Sequence, residues 1–161
     1  MSEDFQPSAD QYTLRKKVEQ MKVLLLEPGK YAQEIEMDGS LESMQNLVGG
    51  SIEAVYPFED PVAVVCDDEG LLKQRVLNRA FTEDIVIAGT CFICGIGESD
   101  FISLSDNLME QYKRKYYYPE LFLRDGNQLQ VVQVHEPEWR FVMERNKQRQ
   151  YGEKNKENKE R

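Results

Sequence analysis

Three stretches of the chain are predominantly apolar, namely residues 21–27, 61–66 and 84–95. Runs of this kind are typical of strands buried on both faces of a sheet. Two further stretches, 31–37 and 51–58, alternate in part between apolar and polar positions, which favours strands with one face on a core. The pattern therefore predicts a sheet, and it places the return strand of a hairpin directly after the first run.

Apolar residues at helical spacing occur in three segments. Segment 40–48 begins with a serine and is followed by two glycines, which is typical of a short capped helix with a glycine stop. Segment 105–115 also begins with a serine and predicts a second helix. Segment 71–81 predicts one or two further helical turns, from the spacing of Leu72, Val76, Leu77 and Ala80.

The C-terminal part contains a hairpin signal, because two short apolar stretches within 122–134 flank Asp125-Gly126-Asn127. After Pro137 the pattern predicts one docked helical turn, and the remainder lacks an apolar face. The predicted fold class is α+β: a single domain with a mixed five- to six-stranded sheet and two helices packed on one face. This core domain spans 21–135, between a polar N-terminal leader over 1–20 and a charged tail over 136–161 that is partly helical or disordered.

Composition narrows the class of protein. The chain has 161 residues, of which 40% are hydrophobic, enough for one core. No apolar run approaches the roughly 20 residues that span a bilayer, and the N-terminus lacks the pattern of a signal peptide. The three cysteines are an odd number in apolar surroundings, which favours a reducing compartment. We therefore expect a cytoplasmic protein without a membrane partner.

The net charge of −9 is unevenly distributed. The last 18 residues carry seven Lys or Arg and four Glu, so the preceding 143 carry a net charge of −12. An acidic body repels phosphate backbones, which makes duplex nucleic acid an unfavourable partner. Such a body can also resemble DNA to a DNA-binding enzyme, or it can serve solubility alone.

Several short motifs do not predict chemistry. Cys91 and Cys94 form a C-x-x-C inside a strand pattern, where residues three apart point to opposite faces, so the thiols should not meet. Gly95-Ile-Gly97 is half a dinucleotide fingerprint, and Asp100 occupies the third glycine position. His135 is the only histidine and has no nucleophile motif beside it. No metal site, cofactor or catalytic residue is predicted.

Two sets of residues remain. Lys113-Arg114-Lys115 followed by Tyr116-Tyr117-Tyr118 is the one basic and aromatic cluster of the acidic body. It suits either single-stranded nucleic acid or a helix C-terminus with tyrosines packed on the sheet. The second set suits a planar or anionic ligand, or else an arginine paired with an acid and an asparagine capping a turn. Its members are Tyr56, Asp67, Asn78, Arg79, Gly89 and Thr90.

The stretch from Met21 to Leu123 resembles a bacterial family of domains of unknown function, number 3846. The resemblance is carried by Gly49-Gly50, Tyr56-Pro57, Asp60-Pro61-Val62, Leu77-Asn78-Arg79 and Ile87-Ala88-Gly89-Thr90. It implies an accessory role in phages, plasmids and integrative elements, often near antirestriction genes, and no established activity.

These observations favour a non-enzymatic accessory protein of a phage or mobile element. It would act by binding a host protein or a small nucleotide-like ligand, with a possible counter-defence role. One alternative is an enzyme that holds a phosphate-bearing substrate with Asp67, Asn78 and Arg79. Another is an acidic DNA mimic.

Overall fold

The computed structural model describes residues 20–148. The leader before residue 20 and the tail beyond residue 148 lie outside the described residues. The helices are α1 (Leu41–Val48), α2 (Asp106–Lys115) and α3, which is helical from residue 139 to residue 148. The strands are β1 (Gln20–Leu26), β2 (Gln33–Asp38), β3 (Ile52–Val55), β4 (Val62–Asp67), β5 (Leu77–Ala80), β6 (Val86–Ala88), β7 (Cys91–Ile96), β8 (Phe101–Ile102), β9 (Glu120–Asp125) and β10 (Gln128–Gln133).

The main sheet has six strands, in the order β2-β1-β7-β4-β3, with β8 paired to the end of β7. The predicted α+β class and the number of strands are confirmed. The sheet differs from the predicted mixed one in that every pairing among the described strands is antiparallel. The connection between β4 and β7 is long enough for a parallel crossover, but it forms the small β5–β6 hairpin and returns at the same end of the sheet.

The two predicted helices cover opposite faces of the sheet and not one face. On one face, Met109 and Tyr112 of α2 pack with Leu24, Val64 and their neighbours. On the other face, α1 packs with alternate residues of the same strands. The physical reason is that β4 and β7 are apolar on both sides, so each side of the sheet must be covered.

The ends of α1 and α2 are explained by residues next to them in the sequence. Ser40 and Ser105 are the N-caps, and each side chain accepts a hydrogen bond from the backbone N–H three residues on. Gly49 ends α1 in the left-handed conformation, with φ of 86°. Lys113, Arg114 and Lys115 lie in the last turn of α2, where cations offset the helix dipole.

Segment 71–81 is the main correction to the predicted elements. Turns occupy residues 68–74, and β5 follows where helical turns were predicted. Gln74 has φ of 59°, which a continuing right-handed helix does not allow. The long apolar run is likewise divided into β6 and β7 at Gly89, which has φ of 86° and turns the chain from the small hairpin into the main sheet.

The β9–β10 hairpin is present as predicted, and its turn contains Gly126 with φ of 63°. The sequence predicts one docked helical turn after the hairpin, but a longer part of α3 packs on the domain. Val142 and Asn146 of α3 are both fully buried. The Asn146 amide accepts a hydrogen bond from the backbone of Phe122 and donates to the carbonyls of Leu77 and Glu120. The domain boundary drawn at residue 135 stays a prediction.

Candidate functional site

Arg79 lies on β5 and is fully buried between the main sheet and the end of α2. Its Nη2 donates to the carbonyl oxygens of Lys30, at 2.9 Å, and Tyr116, at 3.1 Å. Nε also donates to Tyr116, and Nη1 donates to the Asn78 Oδ1 at 2.8 Å and, at 3.5 Å, to the carbonyl of Glu27. These acceptors account for all five N–H groups of the guanidinium.

Asn78 completes this buried network. Its Nδ2 donates to the carbonyls of Leu26, at 2.9 Å, and Gly89, at 2.8 Å, while its Oδ1 accepts from Arg79. Both amide protons and the amide oxygen are therefore used within the fold. Asn78 and Arg79 act as an internal brace in this arrangement, and a ligand role for them stays a prediction.

A buried carboxylate lies close to Arg79. Glu120 is only 5% exposed and accepts a hydrogen bond from the backbone N–H of Ala80 at 2.8 Å. Burial raises the pKa of the Glu120 carboxyl, while that hydrogen bond and the charge of Arg79 oppose the rise. Burial lowers the pKa of Arg79, and the charge of Glu120 opposes this. The two groups therefore reduce each other's cost of burial without a direct ion pair.

Asp67 is the centre of a second cluster at the end of β4. Its Oδ2 lies 2.9 Å from both Lys73 Nζ and Arg75 Nε, and its Oδ1 accepts from the backbone N–H of Glu69. Arg75 also donates to the carbonyl of Gly49 at 2.8 Å, beyond the end of α1. The cluster ties the segment 68–75 to the end of α1.

The pKa of Asp67 results from opposing effects. Burial raises it, but hydrogen bonds from Lys73, Glu69 and Arg75 outweigh burial and hold it below its ordinary value of 3.8. Below that value the unfolded chain binds more protons than the folded one. Asp67 therefore contributes stability that is complete above its unfolded pKa and is lost as the pH falls through the folded pKa.

We predict that Asp67→Asn lowers the free energy of unfolding at neutral pH by about 1–3 kcal/mol, because two cations lose their anion. The variant should also lose less stability than the parent as the pH falls below the ordinary pKa of Asp67. Urea unfolding at a series of pH values measures both effects. Asp68→Asn is the matched control, since Asp68 is exposed and next in the chain. Equal acid sensitivity of the parent and Asp67→Asn would contradict the assignment.

Four of the six predicted site residues are thus connected in the fold. Arg75 lies between Asp67 and Gly89. Its Nε binds Asp67, and its Cδ packs so closely on Gly89 that a Cβ at this position would lie only 2.6 Å away. Gly89 accepts from Asn78, which accepts from Arg79. Thr90 follows Gly89 and is half-buried. Tyr56 is separate, 59% exposed, and lines a groove between α1 and the β7–β8 turn.

The cysteines have the placement that strand alternation predicts. Cys91 packs on the α2 side of the sheet and Cys94 on the α1 side, and both are free thiols. Burial raises the pKa of Cys66 to about 11 and that of Cys94 to about 12, and it raises the pKa of Cys91 as well. These thiols are protonated at neutral pH and pack as small core residues.

Sequence reasoning found only part of a row of four rings at the surface, which we call the ring strip. It consists of Tyr117, Tyr31, Tyr118 and His135. Tyr31 stacks on Tyr117 with centroids 4.9 Å apart and meets Tyr118 edge-on at 5.9 Å. Tyr118 stacks on His135 at 4.3 Å. Tyr31 and His135 are exposed, and Tyr117 and Tyr118 are half-buried, so the strip is partly open to solvent.

Cations and an indole adjoin the ring strip. Trp139 is 43% exposed, and Lys30 Nζ and the Arg140 guanidinium lie 5.6 Å and 5.5 Å from its ring centroid. Lys113 is paired with Glu34 at 3.1 Å beside Tyr117. Lys30 Nζ also lies 3.7 Å from a Glu27 carboxylate oxygen, so the surface combines aromatic rings with two cations paired to acids and with Arg140, in a protein whose net charge is −9.

The buried brace lies behind the ring strip and positions it. Arg79 binds the carbonyls of Lys30 and Tyr116, the residues that directly precede Tyr31 and Tyr117. A backbone hydrogen bond from Ala32 to Tyr117, at 2.9 Å, joins the same two segments. Arg79 therefore holds together the two backbone segments that carry Tyr31 and Tyr117.

Only part of the strip had a signal in the sequence. The run Lys113 to Tyr118 showed that cations and rings occur together. Tyr31 joins the strip from the β1–β2 turn and His135 from the segment after β10, and no local pattern predicts that they meet. The described residues contain no group of three or more His, Cys, Asp or Glu that could hold a metal ion. None of the described helices has the length and apolar character needed to cross a membrane.

A family model described as "Domain of unknown function (DUF3846)" matches residues 21–117. The match covers the main sheet, both covering helices and the brace, together with Tyr31 and Tyr117 of the ring strip. No curated protein and no solved structure matches the chain.

Proposed function

The chain belongs to the DUF3846 family, and from that premise we propose that it is a non-catalytic accessory protein of a phage or mobile element that binds a small nucleotide-like ligand on the ring strip. The mobile-element context rests on what resemblance to the family implies. The ligand class rests on the surface itself. The observation that carries the proposal is the partly exposed four-ring row of Tyr117, Tyr31, Tyr118 and His135, with Lys30 and Arg140 against the ring of Trp139.

The chemistry of the ring strip fits a planar anion. A nucleobase stacks on an aromatic face, and this contact is worth about 1–3 kcal/mol per base. The phosphate of the same ligand needs a cation, which Arg140 provides beside Trp139, together with Lys30, whose ion pair with Glu27 is long at 3.7 Å. An isolated phosphate would not need the rings, and a neutral apolar ligand would not need the cations.

The non-catalytic part of the proposal rests on the state of the reactive groups. The described thiols are buried, and burial raises their pKa, so they are poor nucleophiles. The phosphate-substrate enzyme considered above would use Arg79, but its five N–H groups already have acceptors in the fold. We therefore expect stoichiometric binding without turnover.

Trp139 is the only tryptophan in the chain, so its fluorescence reports on this surface alone. We predict that adenosine monophosphate changes the emission of Trp139 in a saturable way, and that Tyr31→Ala weakens this binding about 5- to 100-fold. Tyr56→Ala is the matched control, since it removes an exposed tyrosine on a different surface. Saturable binding that Tyr31→Ala leaves unchanged would refute the ring strip as the site.

A host protein is the second candidate partner, and one observation favours it. Trp139 is 43% exposed with the Arg140 guanidinium 5.5 Å from its ring centroid, and Phe141 on the same helix is 55% exposed. Exposed Trp, Tyr and Arg side chains are typical of the energetic centre of a protein interface. This candidate predicts no response to adenosine monophosphate. It further predicts a host protein whose capture is lost on Trp139→Ala and retained on Tyr56→Ala.

A further inference from the structure

The outer edge of β10 differs from the rest of the surface. Its six residues, Gln128–Gln133, are all exposed and none is charged, in a chain of which 30% is charged. Leu129 and Val131 are each 40% exposed and Val132 is 46% exposed. Edge strands of monomeric proteins are usually protected by charges, proline, a bulge or a covering element. Within residues 20–148, β10 pairs only with β9, in a regular register.

The backbone of β10 presents its free groups at known positions. In an antiparallel pair, alternate residues direct their N–H and C=O groups to the partner strand. Beyond the end of β10, Val134 donates to the carbonyl of Pro119 at 2.9 Å. Gln130 is in phase with Val134 and so faces β9, whereas Leu129 and Val131 direct their N–H and C=O groups outward.

This outward set is self-complementary. Two copies that pair antiparallel are related by a twofold axis perpendicular to the sheet. Rotation about such an axis leaves every side chain on the same face of the sheet. Residues directly opposite each other must share a face, so the axis must pass between one residue and the same residue of the second copy. An axis at Gln130 pairs Leu129 with Val131 of the second copy, and Val131 with Leu129 of the second copy. Each is a hydrogen-bonded pair with two apolar side chains on the same face, which gives four backbone hydrogen bonds in all.

We propose that β10 is a dimerisation edge, at which a second copy of this chain adds antiparallel with Gln130 at the twofold axis and forms a continuous four-stranded sheet. The absence of charge on β10 allows two acidic molecules to meet there. Six residues of edge bury less than the roughly 1,000 Å² of a stable interface, so the dimer is weak and depends on concentration. This inference is independent of the ring strip and its ligand.

Sedimentation equilibrium from micromolar to millimolar concentration tests the dimer. We expect a monomer–dimer equilibrium for the parent chain, and a dissociation constant raised at least about tenfold in Val131→Lys. The variant places two lysines beside the axis on strands that are exposed in the monomer. Its urea midpoint should match that of the parent, which shows that it folds. A parent that stays monomeric throughout, or a Val131→Lys dimer of unchanged strength, overturns the proposal.

The register has its own test. An axis at Gln130 brings Gln130 opposite its own copy in a non-hydrogen-bonded pair, with Cα atoms about 4.5 Å apart, within the range of a disulfide. Gln130→Cys with diamide should therefore give a covalent dimer on a non-reducing gel. Val132→Cys is the matched control, because it would face Gln128 of the second copy and should not cross-link. Equal cross-linking of both variants overturns the assigned axis.

Discussion

Replacing Arg79 with methionine should lower the free energy of unfolding by about 3–5 kcal/mol, enough to unfold a marginal domain. The loss arises because the carbonyls of Lys30 and Tyr116 and the amide of Asn78 each lose a charged donor in a buried place. Glu120 also loses the positive charge that offsets its burial. Urea denaturation monitored by circular dichroism measures the change.

Arg79→Lys separates charge from geometry. Lysine keeps the positive charge but cannot reach three groups at once with a planar fork, so we expect an intermediate loss of stability. Arg114→Met is the matched control. Its side chain is 78% exposed, and the change should stay within about 0.5 kcal/mol. A loss below about 1 kcal/mol for Arg79→Met would show that the network does not brace the fold.

Asn146→Ala should cost about 2–4 kcal/mol, because its amide is fully buried and satisfies three backbone groups at once. The loss of protection from hydrogen exchange should be greatest where α3 contacts β5 and β9. We therefore expect the backbone amide of Phe122, which loses its acceptor, to exchange faster with deuterium. Exchange in the centre of β7 should change only as far as global stability falls.

Lys147→Ala is the control for Asn146, since Lys147 is the next residue and is exposed. It should leave both the unfolding midpoint and the exchange of Phe122 unchanged. If Asn146→Ala behaved like Lys147→Ala, α3 would be held by its apolar contacts alone, chiefly Val142. The hydrogen bonds from Asn146 to β5 and β9 would then contribute little to the free energy of unfolding.

The site was predictable only where its signal is local. The run Lys113 to Tyr118 is visible as cations followed by rings, and the pair Asn78-Arg79 is visible as polar residues within an apolar stretch. Their interpretation needed the fold. An arginine that binds a ligand and one that binds three backbone segments have the same sequence neighbours. They differ in whether the carbonyls of Glu27, Lys30 and Tyr116 surround them.

Asn146 is a second residue whose role could not be predicted from its sequence neighbours. It stands in a charged segment without an apolar face, so periodicity marks it as solvent-exposed. Its burial depends on β5 and β9 leaving backbone groups that only an amide can satisfy in that position. No pattern within α3 carries that information.

By itself, the sequence determined the α+β class, the strands of the central sheet other than β8, the N-caps of α1 and α2 and the β9–β10 hairpin. Each depends on periodicity or turn chemistry within about ten residues. Only the tertiary structure decided that the helices cover opposite faces, that Arg79 is a brace, and that Tyr31, Tyr117, Tyr118 and His135 form one surface. These features depend on which distant backbone groups and rings meet, and that is set by packing around a sheet that is apolar on both sides.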